Sequence, residues 1–469
     1  MTLSLERPRG MKRFGIRALL NDGWILGRRF AVSLALASAT LLAIPLSASS
    51  QALHNGVATC AGSTCHGRQA ADGAVVRQNE LVVWQDYSSA AGAHSRAWRV
   101  LQGPRAQKIA DRLGLGRASA APACLGCHTD FAARRGPRFQ VSDGVGCEAC
   151  HGGSENWLSS HYTASATRQD NLARGMTALD DPRTLATTCL GCHLGSDKPG
   201  QFVSHRMMSA GHPRLSFELD LFNSFQRHHD VDADYLQRKR SAGGVTTWAV
   251  GQSMALERSL TLYSKPLGQD GVFPELVFFD CQSCHRAISD DPAATVRFGA
   301  NPARPIPWGM PPYNDENMIL LSAAARVAAP DLATRFEADS RAFHSALGRD
   351  RTGAIAAAAV LNTDARALSA RFAGRGFSSG DTVKILKIVL GDALSARYTD
   401  YTGGVQAVMA IDTLLTALVA QGAVSPAAAS GMRRDIELAY QAVRDPNSYR
   451  PEQFRAALTR VRTGLDRLT

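Results

Sequence analysis

All ten cysteines of this chain fall into five pairs, and a histidine follows the second cysteine of every pair. Four pairs have the spacing C-x-x-C-H: Cys124/Cys127 with His128, Cys147/Cys150 with His151, Cys189/Cys192 with His193, and Cys281/Cys284 with His285. The remaining pair is stretched to C-x4-C-H, as Cys60/Cys65 with His66. A structural zinc site would need four ligands per metal, and a thioredoxin-like pair gives no reason for the histidine. Covalent haem accounts for all three residues at once. The two thiols add to the two vinyl groups, and the adjacent imidazole ligates the iron. The pattern therefore predicts five covalently attached haem c groups (iron). In the stretched pair Cys65 stays next to His66, so the additional residues are expected to bulge outward while the iron geometry survives.

The N-terminus points to export. Lys12, Arg13, Arg17, Arg28 and Arg29 precede an apolar run from Phe30 to Leu46, followed by small residues ending at Ser50-Gln51-Ala52. That order is the one found in a secretory signal peptide. Residues 1–52 are read as a leader for the Sec route, with the periplasm as destination. The alternative is an uncleaved anchor with membrane association, since about 17 apolar residues is the lower edge of a spanning helix.

The formal charge of +11 invites a nucleic-acid reading, but the arithmetic removes it. Residues 1–52 carry seven Lys/Arg and two Asp/Glu, so 45 basic and 39 acidic residues remain. Five haems would add up to about ten propionate charges, which turns the holoprotein mildly negative. No nucleic acid is implied. Arg96, Arg99, Arg105, Arg206, Arg214 and Arg227 are candidates to neutralise propionates or to stand as solvated surface.

The chain changes character near a Pro-rich join at 302–312. Twelve of the thirteen histidines and all cysteines precede residue 290. Residues 53–304 read as an irregular, mainly α multihaem cytochrome c domain with little sheet, in which haem supplies much of the core. Residues 313–469 read as a C-terminal helical bundle, because apolar residues recur there at three and four. Helices are expected over 316–329, 332–347 and 352–372, then after Ser379, around 405–420, after the Ser425-Pro426 cap, and from Pro451. Gly374 and Gly422 fit helix stops. The bundle could be a docking surface, a dimer interface, or a cover for one face of the haem array.

Five histidines are used as proximal ligands: His66, His128, His151, His193 and His285. Eight remain, which is enough to close every iron. His94, Ala97, Trp98 and Leu101 share one face of a helical register, so His94 is the leading distal candidate. His161, His205, His212 and His228 are the others, and His228-His229 cannot both face one iron. His344 on a bundle helix is read as structural. Met207, Met208 and Met310 are read as core filling rather than thioether ligands.

The run Trp84…His94-Ser-Arg-Ala-Trp98…Leu101, the Cys124-Leu-Gly-Cys127-His128 motif, the string Gly144-Val-Gly-Cys147-Glu-Ala-Cys150-His151-Gly152 and Cys189-Leu-Gly-Cys192-His193 together resemble the tetrahaem cytochrome that accepts electrons from hydroxylamine oxidoreductase in ammonia oxidisers. The resemblance covers roughly residues 54–200. It implies a relay of stacked haems exchanging single electrons with partner proteins. Carried over position by position, it implies His161 opposite His66, His94 opposite His151, and an open iron at His128. The stretched first motif, the fifth motif and the helical half have no counterpart in that small cytochrome. The Gly211-His212-Pro213-Arg214 segment looks like one in larger multihaem cytochromes, implying His212 as an axial ligand. His212 is expected with the Cys189/Cys192 haem, and His205 or His228 with the Cys281/Cys284 haem.

Three functions compete. The first is an electron relay through mostly bis-His haems, serving redox proteins or a quinol-linked membrane complex. The second is a multihaem oxidoreductase with one open iron acting on nitrite, hydroxylamine or tetrathionate. Such a pocket needs cationic groups and proton donors, and no cluster in the sequence marks one. A haem sensor needs only one haem.

Overall fold

Short helices separated by long connections make up most of the first half of the chain, and long helices make up the second. The computed structural model describes residues 51–71, 77–238, 240–269, 274–285, 303–306, 310–395 and 400–468. The leader reading, apart from its last residues, lies outside these. Among the described residues the protein is mainly α, with no strands and only two isolated bridges, His54 with Arg135 and Phe279 with Tyr313.

Every bundle helix expected from the sequence is present. They run Glu316–Ala328, Pro330–Leu347, Arg351–Ala373, Ser379–Leu394, Tyr401–Ala420, Pro426–Ala442 and Pro451–Asp466. Local chemistry sets their starts. The Ser378 and Ser425 hydroxyls accept from Asp381 N and Ala428 N, satisfying main-chain donors that a first turn leaves free. The Tyr401–Ala420 helix is long and apolar enough to cross a membrane, but 72% of its apolar window is buried inside the protein. It is the central helix of the core, with Leu414, Leu415 and Leu418 fully enclosed.

That core extends upstream of the Pro-rich join. The Gly244–Ser264 helix packs along the Arg351–Ala373 helix and adds Trp248, Leu256, Leu260 and Tyr263 to one continuous apolar cluster. Tyr313 and Phe343 meet edge to face at 5.0 Å, and the Tyr313 hydroxyl lies 2.8 Å from that of Ser259. Residues 52–469 form one compact unit.

Arg304 is the centre of a buried ion cluster. Arg304 is paired with Asp315 and, through Nη1 at 2.7 Å, with Asp400. Asp400 also accepts from Gly403 N, so one carboxylate both pairs with the arginine and caps the Tyr401 helix. His344 completes the cluster. Its Nδ1 donates to Ser340 O, and its Nε2 lies 3.1 Å from Asp315. This bundle histidine is thus structural.

Candidate haem-binding site

In three of the regular motifs the two cysteines and the histidine close one short helix: Pro122–His128, Cys147–His151 and Pro182–His193. In the fourth, Cys281–Cys284, His285 is the cap and its N–H donates to Cys281 O at 2.8 Å. The stretched motif keeps that same bond across its longer loop: His66 N–H donates to Cys60 O at 3.1 Å. Gly62, Ser63 and Thr64 are exposed, so the longer loop bulges to solvent and leaves the cysteine–histidine frame as in the regular motifs.

Ten histidines stand in five facing pairs. Ring centres are 5.9 Å apart for His66 and His161, 6.1 Å for His94 and His193, and 6.4 Å for His128 and His212. They are 6.3 Å apart for His151 and His228, and 6.0 Å for His205 and His285. Each pair joins one motif histidine to one of the five other candidates. Two imidazoles on one metal, each bonded at about 2 Å and separated further by the half-width of each ring, stand about 6 Å apart. The residues present therefore fit a bis-histidine haem at every motif.

Two pairs agree with the sequence expectations and three do not. His161 faces His66, and His205 faces His285. His94 faces His193 rather than His151, His228 faces His151, and His212 faces His128 rather than His193. The physical reason is in the connections. His94 lies in short turns between the 3-10 segments Ala91–Ala93 and Arg99–Gln102, not on a continuous helix, and those turns set which motif histidine it faces. His94 O accepts from Val145 N, and Gly144, at φ 73°, leaves room where a Cβ would come within 2.6 Å of His94 O. The turn that presents His212 is fixed by two arginines of the Pro104–Leu113 helix: Arg105 donates to Gly211 O and Arg112 to Ala210 O.

Burial keeps four of these imidazoles available as neutral donors of a lone pair. Burial lowers the pKa of His94, His212 and His228, and takes His193 to about 4 with His94 nearby adding to the effect. His193 is further walled by Phe217, stacked at 4.5 Å. Close approach also matters at Gly126, where a Cβ would lie 2.4 Å from Gly200 O.

The remaining candidates have the following partners. Arg96 donates to Asp86 O and Ser89 O and sits over the Tyr87 ring, as does Arg99. Arg214 Nη1 lies 2.9 Å from Cys281 Sγ, beside a cavity lined by His193, Phe217, Phe278 and Glu316. Met310 packs on the apolar core and His229 stacks on Tyr235. His54, Asp130 and Glu148 cluster closely enough to hold a cation. The Glu148 oxygens, however, already accept from Asn55 N, Gly56 N and Ser154 N, and His54 Nδ1 bonds Asp130. Glu148 is a residue whose role the sequence did not reveal. It stitches the 53–56 segment to the Cys147 motif.

Neighbouring sites touch through their thiols. Cys60 lies against Cys147, and Cys127 against Cys192. Cys150 stands near Cys189 and Cys192.

Residues 60–152 match the family described as cytochrome c554 and c-prime. No curated protein and no solved structure matches the chain. The match, together with the repeated motifs, supports a multihaem c-type cytochrome that carries electrons.

Proposed function

We propose that this chain is a periplasmic pentahaem relay in which each of five haem irons is closed by two histidines. The observation that carries the reading is the set of five facing imidazole pairs, all between 5.9 and 6.4 Å. Haem held by two imidazoles supplies a low-spin centre that changes little on reduction, which suits outer-sphere electron passage. The chain's own residues hold the sites and exclude further ligands. The His212 ring centre stands 6.4 Å from that of His128, which supports a second ligand at the one site expected to be open.

The thiol contacts support an order of sites. They run from His66 to His151 through Cys60 and Cys147, then to His193, then to His128 through Cys192 and Cys127. The short helix His205–Ser209, with His212 just beyond it, connects the His128 site to the His285 site. Redox proteins or a quinol-linked membrane complex would exchange electrons at the ends. The helical bundle carries no motif cysteine and serves as the scaffold against which the last sites are set.

The intact mass of the purified protein, with carbon monoxide added to the reduced form, tests this. Five haem masses and no carbon monoxide spectrum are expected. A smaller haem number, or one iron that binds the gas, contradicts the reading.

A further inference from the structure

The paired sites differ in what holds the outer nitrogen of the ligand. His128 Nδ1 donates to Ala97 O at 2.8 Å, His212 Nδ1 to Pro213 O at 2.8 Å, and His228 Nδ1 to Gln226 O at 3.3 Å. These acceptors are neutral main-chain carbonyls. His66 Nδ1 instead meets a carboxylate, Glu80 Oε2, at 3.1 Å. The contact is held twice over, because Leu81 N–H donates to His66 O at 2.9 Å. Glu80 opens the Glu80–Trp84 helix, whose Trp84 is buried and anchors it. The segment after His228 is tied to the same region by Arg77, which pairs with Asp230 and Asp232.

A charged acceptor polarises an N–H more strongly than a neutral one. An imidazole so polarised is a more basic ligand, and a more basic ligand favours the ferric over the ferrous ion. We infer that Glu80 is a positioning residue that lowers the reduction potential of the haem held by His66 relative to a neutral partner there. The inference rests on the bis-histidine reading proposed above. It gives that reading a direction. The His66 site stands at one end of the thiol-linked run, so a lowered potential there adds driving force for an electron to pass from it inward along the run. The side chains of His66 and Glu80 are 38% and 21% exposed, so solvent weakens the effect without removing it.

The test is an EPR-monitored redox titration of the holoprotein and its Glu80→Gln and Glu80→Asp variants. Glu80→Gln keeps the size and the acceptor oxygen but removes the charge. One midpoint of the five should rise, by about a tenfold change in reduction equilibrium (~59 mV for one electron). The other four should stay in place, and Glu80→Asp should return part of the shift. Five unmoved midpoints in Glu80→Gln would overturn the inference. So would loss of one low-spin signal without a shift, since Glu80 would then only hold His66 in place. A high-spin iron in the unmutated protein would count instead against the bis-histidine reading, which keeps the two failures apart.

Discussion

The two halves of this protein solve the burial problem with different materials. In the C-terminal half, side chains do it. Phe336, Phe343, Phe372, Leu390 and Leu414 are almost wholly enclosed by their neighbours on long helices. In the motif half, helices of four to twelve residues carry nine of the ten cysteines, with Cys65 in a turn. A helix of that length is marginal alone, because nucleation costs more than a few bonds return. On the proposed reading, haem held between the ring pairs is what those segments pack against. The C-terminal helices, together with the Gly244–Ser264 helix, thus enclose a core of side chains, and the motif segments are a set of brackets.

The comparison breaks most visibly if haem attachment is prevented. Protein made without haem should show protease cleavage throughout 53–240 and a resistant fragment beginning near Gly244, read by mass spectrometry. Equal resistance of both halves would contradict the contrast.

Next in size is the buried ion cluster at the join. Arg304→Met leaves Asp315 and Asp400 without their cation, and removing one partner of a buried pair costs about 3–5 kcal/mol. Denaturant unfolding monitored by helical signal should record that loss while the haem spectrum of the native baseline is unchanged.

A smaller, pH-dependent effect comes from Glu218. This carboxyl is buried, and burial with Asp220 nearby raises its pKa from 4.5 to about 7. Its folded pKa lies above its unfolded one, so its contribution is fully present below pH 4.5 and is lost as pH rises to 7. The loss amounts to about 3 kcal/mol. Glu218→Gln retains a partner for the Thr413 hydroxyl and should flatten that slope, as seen in unfolding midpoints between pH 4.5 and 7.

The smallest expected effect is local. Ser425→Ala removes the cap on Ala428 N and should cost about 1 kcal/mol, measured by the same unfolding curves.

Much of this was legible in the sequence, but unevenly. The bundle's helices could be bounded to within a few residues because capping and periodicity are local: Ser425-Pro426 and Pro451 mark starts wherever the helix is placed. The motif triplets were legible for the same reason. Pairing was not. His94 and His228 reach His193 and His151 through long connections, and nothing within a few residues of either encodes which ring it will face. The Gly144 turn against His94 O is a contact between residues fifty apart in the chain, visible only once folded. Glu148 and Glu80 were silent for the opposite reason. Each acts on main-chain or imidazole nitrogens distant from it in sequence, and a lone glutamate carries no spacing signal. The Gly244–Ser264 helix shows a third limit. It is buried nearly all round, so its apolar residues make no stripe to read.

The central claim is that all five irons are closed by paired histidines, and low-temperature EPR of the ferric protein tests it most directly. Ligand planes near parallel at His66/His161 and His205/His285, 20° and 29°, should give two ordinary rhombic low-spin signals. Planes nearer perpendicular at the other three pairs, 69° to 87°, should give three strongly anisotropic low-spin signals. The account predicts those two classes, no high-spin signal, and no change on adding cyanide or nitric oxide. A high-spin signal that disappears with added ligand would contradict it.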